Sequence, residues 1–509
     1  MLCSPDEGRP PRHGGVRVNT HPKEEHVDSR SQHQAERAAA ESPGAGRSVS
    51  RRTVLKWAGT GALAVLAAPH VFVPRVSAQR QRTLRIIQWS HFVPSYDVWF
   101  DQYAREWGEA RGVEVTVDHI AFSDLVPRAN AEVAAREGHD LFMFISPPAA
   151  FEPYVLDMAD VVQEVERRHG PILDLAKRST YNPVTGKWFG FSDNYVPDPG
   201  CYLKSIWTGI GMPDGPSTWE DLLTAGRLIR ERFPQVQIPI GIGLSQDIDS
   251  NMVCRALLWS FGGAVQDEDE RVVLNSPETI QAVEFMRTLY REAMSPAVLS
   301  WNASSNNQAF NAGQTAYIVN SISAYRTAQE NGLPVADDTY FVEALRGPAG
   351  QWACEHVMGA YFIWEFAQSP DLAKEFLIDL VDHYRDAVLA SQLYNFPSFP
   401  GSVAEPGVPV EQRPAAGQAW IEAVCENDPF GSVPPNKLAA LKNALNWSTN
   451  VGHPGPANPA IGEVFDSFVL PDMFAKAATG AMSPQEAVAE ADARVRQIFA
   501  KWRERGLVA

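Results

Sequence analysis

Asp247 and Asp249, two positions apart in the run GIGLSQDIDSN (241–251), come nearest to a pair of residues able to do acid–base work. Two carboxyls can act as proton donor and acceptor when their surroundings split their pKa values. The same two residues also read as solvated turn aspartates, and that is the plainer expectation. Other chemistry is thin. No H-E-x-x-H, G-x-S-x-G or Walker-type loop occurs, and Gly241-x-Gly243 lacks the third glycine of a dinucleotide fingerprint. Beyond residue 79 the histidines are His91, His119, His139, His169, His356, His383 and His453, with no metal-ligand spacing. Neither a metal nor a cofactor is expected.

Binding, rather than reaction, is the better use of the remaining polar groups. Trp89 ends the strand-like run TLRIIQW (83–89) and is followed by Ser90 and His91. An aromatic face beside planar polar groups suits a sugar, whose C–H faces stack on rings while its hydroxyls seek hydrogen bonds. Core burial is the competing reading for Trp89. Trp99, Trp107, Trp219 and Trp502 fall at helical spacing and are expected in the core. A second polar group closes the run AFNAGQTAYIVNSISAY (309–325). It reads as a helix anchored by Phe310, a turn at Gly313, a strand over Thr315–Val319, and then Asn320, Ser321 and Ser323. Strand ends of open α/β sheets are where ligands bind.

The elements that must position these groups follow an α/β plan. Strand runs 83–89, 113–120 and 140–145 alternate with helices from about Tyr96 to Gly112 and over Leu125–Glu137, with Gly138 as the stop. That order predicts a parallel sheet with helices on its faces. Gly186–Leu203 is broken by Gly, Pro and Asp, which suits a chain crossing between two lobes. Ser217 and Glu220 are expected to form a capping box, and 238–244 a short strand. Ser276-Pro277, Ser369-Pro370 and Ser483-Pro484 each read as an N-cap followed by Pro at the first helical position. His356–Trp364 is a second crossing strand. Eight prolines in Pro397–Pro435 predict a long irregular loop.

The whole chain has 509 residues and a formal charge of −17. Residues 1–78 hold eleven Lys and Arg against seven Asp and Glu, leaving 33 against 54 and a net −21 beyond them. So acidic a body excludes nucleic acid and anionic lipid as partners. Residues 1–49 show no hydrophobic period and are expected to be disordered. No Met follows Met1 until Met143, so a start at a Val codon nearer Ser50 is expected. The run 50–78 begins Ser50-Arg51-Arg52-Thr53-Val54-Leu55-Lys56, continues weakly apolar to Val73 and ends Val76-Ser77-Ala78. It resembles a twin-arginine (Tat) signal peptide, with Val54 where Phe is more usual. No Cys follows for lipid attachment. Cys201, Cys254, Cys354 and Cys425 lie far apart, which leaves one or two disulfides open without fixing a pairing.

Five runs together resemble a known family. PSTWEDLLTAGRLI (216–229), LNSPETIQAVEFMRTL (274–289), AFNAGQTAYIVNS (309–321), QSPDLAKEFL (368–377) and MSPQEAVAEADARV (482–495) are similar, in order, to the extracellular solute-binding proteins of family 1. These are the sugar-type binding proteins of ABC importers, related to the maltodextrin-binding protein. Tyr317 stands where Met is usual, and Ser146-Pro147-Pro148 stands where a charged residue often follows the third strand. The resemblance implies an α/β, two-lobe periplasmic-binding-protein fold of type II, with an interdomain cleft and crossing strands. Lobe 1 would comprise 79–195 and 356–400, lobe 2 196–355, and the Pro-rich loop and C-terminal helices 401–509.

On matching positions the implied ligand residues are Trp89, Ser90, His91, Ser146, Asp193, Asn194, Tyr195, Asp247, Asp249, Asn320, Ser321, Tyr325 and Tyr361. The neighbouring 358–360 and 456–458 are further candidates. The implied function is a monomeric periplasmic protein that binds a carbohydrate and delivers it to a membrane ABC permease, after export by the Tat translocase. A sensory protein presenting its ligand to a receptor would share this fold, and a glycoside-cleaving enzyme using Asp247 or Asp249 is the third reading.

Overall fold

The computed structural model describes residues 82–145, 149–355 and 357–509. The N-terminal extension, the signal segment, Ser146 and His356 lie outside them.

Strands β1 (Arg82–Trp89), β2 (Val113–Ile120) and β3 (Leu141–Phe144) form the opening α/β unit. β1 pairs in parallel with both of the others, the arrangement that helical crossovers allow. The helix Pro94–Arg111 between β1 and β2 ends as read, with Gly112 in the left-handed region at φ 62°. It buries Tyr96, Phe100 and Trp107, and the last two pack edge-on against Phe376. The next helix, Leu125–Ala135, ends at Arg136 with φ 52° rather than at Gly138. Gly138 has another task. A Cβ there would strike the Glu132 carboxylate, which accepts from His139 N and Trp364 Nε1 at 3.0 Å each.

The chain continues with β4 (Phe191–Val196), β5 (Gly200–Leu203), β6 (Tyr317–Val319), β7 (Thr339–Val342), β8 (Val357–Phe362) and β9 (Phe396–Pro397). Among the described residues, one sheet has the order β9-β4-β8-β3-β1-β2 and a smaller antiparallel one the order β6-β5-β7. The expected crossing is therefore three residues long, Pro197 to Pro199 between β4 and β5. β4 itself is a fully buried interior strand, which corrects its reading as part of a loose connection. The segment 238–244 touches β6 only through isolated parallel bridges. Pro239 cannot donate to a ladder, and Gly241 lies so close to Thr315 that a Cβ would sit 2.7 Å from its hydroxyl.

Local signals were partly misplaced. The capping box of the helix Trp219–Arg232 uses Thr218 and Asp221, not Ser217 and Glu220, because the helix begins at Trp219 and the extended residue just before it is Thr218. Ser276 and Ser483 cap as read. Ser369 does not cap with its side chain; its N–H instead donates to Asp140 at 2.9 Å. The Pro-rich stretch contains the helix Arg413–Glu426, because Pro414 sits in the first turn, where no hydrogen bond is lost, and 415–426 is free of proline. All four cysteines beyond residue 79 are buried free thiols. No helix among the described residues is long and apolar enough to cross a membrane.

Candidate ligand-binding cleft

The carboxyl ends of β1 and β3 open onto a cleft of about 970 Å³. One wall carries Ser90, His91 and Phe92 after β1, Phe122, Ser123 and Leu125 to Pro127 at the start of the second helix, and Phe144-Ile145 at the end of β3. The facing wall carries Gln246 to Ile248, Asn302 to Ser304, and Phe465, Asp466 and Phe468. A parallel strand must end at the sheet edge, and its last residues have no ladder partner beyond them. Ser90 N–H still donates to Ile120 O at 2.8 Å, and beyond it the chain leaves the sheet and turns at His91 beside the opening.

Ser90, His91 and Asp247 are the implied ligand residues that the structure brings to this cleft. The others are placed elsewhere, for reasons of topology. Trp89 is 2% exposed and packs edge-on against Phe92, with ring centroids 5.3 Å apart. The aromatic wall is thus Phe92, Phe122, Phe144, Phe465 and Phe468, while Trp89 lies behind it. Asp193, Asn194 and Tyr195 sit on β4, covered by β8 and β9 on either side. Burial pushes the Asp193 carboxyl up to about 7, against the Tyr384 hydroxyl that donates to it at 3.2 Å. Tyr361, with Met358 to Ala360, is buried in β8.

Asn320 donates to Asn307 Oδ1, and Asn307 donates in turn to Ser323 Oγ at 3.0 Å, so this strand end is knitted to the preceding helix. Ser321 is buried beside it. Tyr325 shares a 2.7 Å hydrogen bond with Ser432 Oγ. Asn458 caps the helix Pro459–Asp466 and donates to Gln266. Ser146 lies outside the described residues.

The aspartate pair is structural in role. Asp247 caps the helix Ile248–Ser260 by accepting from Asp249 N at 3.0 Å, and the Asp249 carboxylate accepts from Asn306 at 2.7 Å. That helix starts four residues before Met252, where the apolar run 252–262 of the sequence begins, because the cap Asp247 sits inside the polar stretch 245–251.

His91 is 5% exposed. Val93 N–H donates to its Nδ1 at 2.9 Å, which leaves Nε2 as the donor to Asn395 Oδ1 at 3.2 Å. Burial draws its pKa down to about 4, so at neutral pH the imidazole is uncharged. Asp466 keeps partial contact with the cleft, but the protein around it pushes its carboxyl up to about 7, against the pull of Arg255. No Lys or Arg lines the cleft among the described residues. Aromatic and aliphatic walls, neutral hydrogen-bonding groups and two acids can accept ring C–H faces and hydroxyls. They offer no counter-charge to an anion.

Sequence reasoning missed the phenylalanine wall, Gln246, Asn302 and Asp466, and behind that wall Tyr394. Asp466 and Phe465 end a helix whose apolar face gave no hint of a cleft. Tyr394 follows Gln392 and Leu393, both with φ in the left-handed region at 53° and 67°. Their strain has no sequence signal, since neither is Gly or Asn.

The description of the matching family model is bacterial extracellular solute-binding protein, over residues 102–416. A probable ABC transporter-binding protein of Deinococcus radiodurans is 26% identical over 212 residues, which is 40% of this chain and 49% of that protein. The match thus spans about half the length of that relative. Maltose-bound MalE3 of T. maritima superposes with a TM-score of 0.65 at 17% identity, covering 82% of this chain and 99% of that one. A sugar transporter from Arthrobacter chlorophenolicus with bound laminaribiose gives 0.64 at 15%, over 82% and 99%. At these identities the two structures share the fold with this chain: mixed α/β, in two lobes.

Proposed function

The chain belongs to the bacterial extracellular solute-binding proteins, and on that premise we propose that it binds a carbohydrate and delivers it to an ABC permease in the cytoplasmic membrane. The observation that carries the ligand class is the wall of the cleft, five phenylalanines, neutral polar groups and two acids, with no Lys or Arg among the described residues. Sugar rings offer C–H faces to such aromatics, and their hydroxyls both donate and accept toward Ser90, Gln246, Asn302 and Asp466. A carboxylate or phosphate ligand would be buried without a partner, which is costly. The chain's role is binding, and Asp247 is committed to its helix cap. The relatives that bind maltose and laminaribiose support the same class.

On this reading lobes 79–195 with 356–400 and 196–355 close on the sugar by a hinge. The protein acts as a monomer in the periplasm, reached by the Tat translocase through Arg51 and Arg52. A thermal-shift screen with neutral mono- and oligosaccharides against uronic acids and sugar phosphates tests the ligand class. Neutral sugars raise the melting midpoint if it is right, because a ligand of the folded state alone stabilises that state. A shift with the anionic sugars only would overturn it. Separately, Lys at both Arg51 and Arg52 is expected to hold the precursor in the cytoplasm, and undiminished export would remove the Tat assignment.

A further inference from the structure

Arg255 does not line the cleft, yet it touches the cleft wall from behind. It lies on the helix Ile248–Ser260 and is fully buried. Asp247, Asn251 and Arg255 follow at four-residue steps, so they fall along one side of that helix, with the Asp247 cap at the cleft. Arg255 Nη1 donates to Asn251 Oδ1 at 2.7 Å, and Asn251 Nδ2 donates to the Phe465 carbonyl at 3.1 Å. The guanidinium carbon also stands 4.7 Å from the centre of the Phe465 ring. One arginine thus meets Phe465 twice, at its ring directly and at its backbone by way of Asn251.

As scaffold, the same arginine is poorly served. Its Nε reaches the Val451 carbonyl at 3.3 Å, and its Nη2 has no hydrogen-bond partner among the described residues. Arg326, also buried, has all three guanidinium nitrogens bonded, to Gln392 O, Gln329 and Asp428. A buried cation short of partners adds little to stability, and an apolar side chain of similar volume commonly does as well. What the charge supplies at position 255 is a grip on the wall. We propose that Arg255 is a positioning residue of the binding site: through Phe465 it fixes the end of the helix Pro459–Asp466, and so the place where Asp466 meets the ligand. The proposal rests on the carbohydrate reading above and adds to it a residue that never touches the sugar. A cation facing a ring in surroundings without water holds it more firmly than at a surface.

The experiment labels the protein with 4-fluorophenylalanine and follows the fluorine resonance of Phe465, assigned by its loss in Phe465→Leu. It compares Arg255→Met, the milder Arg255→Lys, and Asn251→Ala, with Gly313→Ala as a destabilised control that touches none of these groups. The Phe465 resonance shifts and broadens in Arg255→Met and in Asn251→Ala. Arg255→Lys, which keeps the cation, restores part of the shift, and Gly313→Ala leaves the resonance in place. Calorimetry with maltose and laminaribiose then shows a loss of about tenfold in Arg255→Met and a smaller one in Arg255→Lys. A Phe465 resonance unmoved by Arg255→Met, or moved as much by Gly313→Ala, overturns the inference, and so does unchanged affinity for a sugar that the parent binds. A displaced resonance together with binding of glucuronate or glucose 6-phosphate in place of the neutral sugars overturns the carbohydrate reading and leaves the positioning role standing.

Discussion

The ring of Tyr394 meets His91 edge-on, with centroids 4.9 Å apart and planes at 73°. His91 reaches the cleft from the carboxyl end of β1, and the Tyr394 ring packs behind it. Tyr394 also lies 6.4 Å from Trp89. One side chain thus supports both the last residue of β1 and the histidine that follows two residues later. Tyr394→Ala is expected to lower sugar affinity at least several-fold, since His91 would lose the ring that holds it, and to destabilise the fold by about 3–5 kcal/mol as a buried aromatic truncation. Tyr394→Phe keeps the ring and should retain most of the affinity. Titration and denaturant unfolding of the two variants check this.

His91 also predicts an acid limb. Its pKa is about 4 in the folded chain against 6.5 for an ordinary histidine, so between those values the unfolded chain holds the extra proton. Stability is then lost as pH falls from 6.5 through 4, by about 3 kcal/mol for this group. His91→Gln, which cannot take up the proton, should flatten that part of the stability profile in unfolding titrations from pH 7 to 4.

Asp193 acts in the opposite sense. Its carboxyl is raised to about 7 from 3.8, so the folded chain holds the proton through that window and stability falls as pH rises from 4 to 7. Asp193→Asn mimics the protonated form and still accepts from Tyr384. Relative to the parent it should gain on the order of 4 kcal/mol between pH 4 and 8, read as a widening difference in denaturation midpoints. Sugar binding measured at pH 6 should change little, because Asp193 does not line the cleft.

Arg326 and Asp428 form a buried two-pronged ion pair, Nη1 to Oδ2 at 2.8 Å and Nη2 to Oδ1 at 3.0 Å. It ties the helix Ser323–Glu330 to the segment after Arg413–Glu426, and the guanidinium also faces the ring of Phe430 at 5.2 Å. Asp428→Ala leaves a charge uncompensated in the interior and should cost about 3–5 kcal/mol. Replacing both partners should cost less than the sum of the single changes, which a double-mutant cycle would show.

Gly313 turns the chain into β6 with φ 67°, and no atom lies within 4 Å of where a Cβ would stand. The penalty for a side chain there is conformational alone. Gly313→Ala should cost about 1–2 kcal/mol, Gly313→Asn less and Gly313→Val more, in chemical unfolding. A cost that rises with side-chain size, with Asn above Ala, would point to a steric cause instead.

What the sequence determined by itself was local and periodic. The αL turns at Gly112 and Gly313 and the caps at Ser276 and Ser483 follow from backbone sterics and hydrogen bonding within a few residues. The parallel order of β1, β2 and β3, and the placing of Ser90 and His91 at a strand end, follow from the alternation of strand and helix. The fold class follows from these together. What only the tertiary structure decided was which polar groups face open space. Asp193 and Tyr361 have the residue types of a ligand site, but neighbouring strands pair across both edges of β4 and β8 and the layers above and below bury their side chains. Phe465 and Asp466 come from a helix with no such signal, and they reach the cleft because distant segments pack there. Exposure depends on contacts between residues hundreds of positions apart, and no local pattern encodes those.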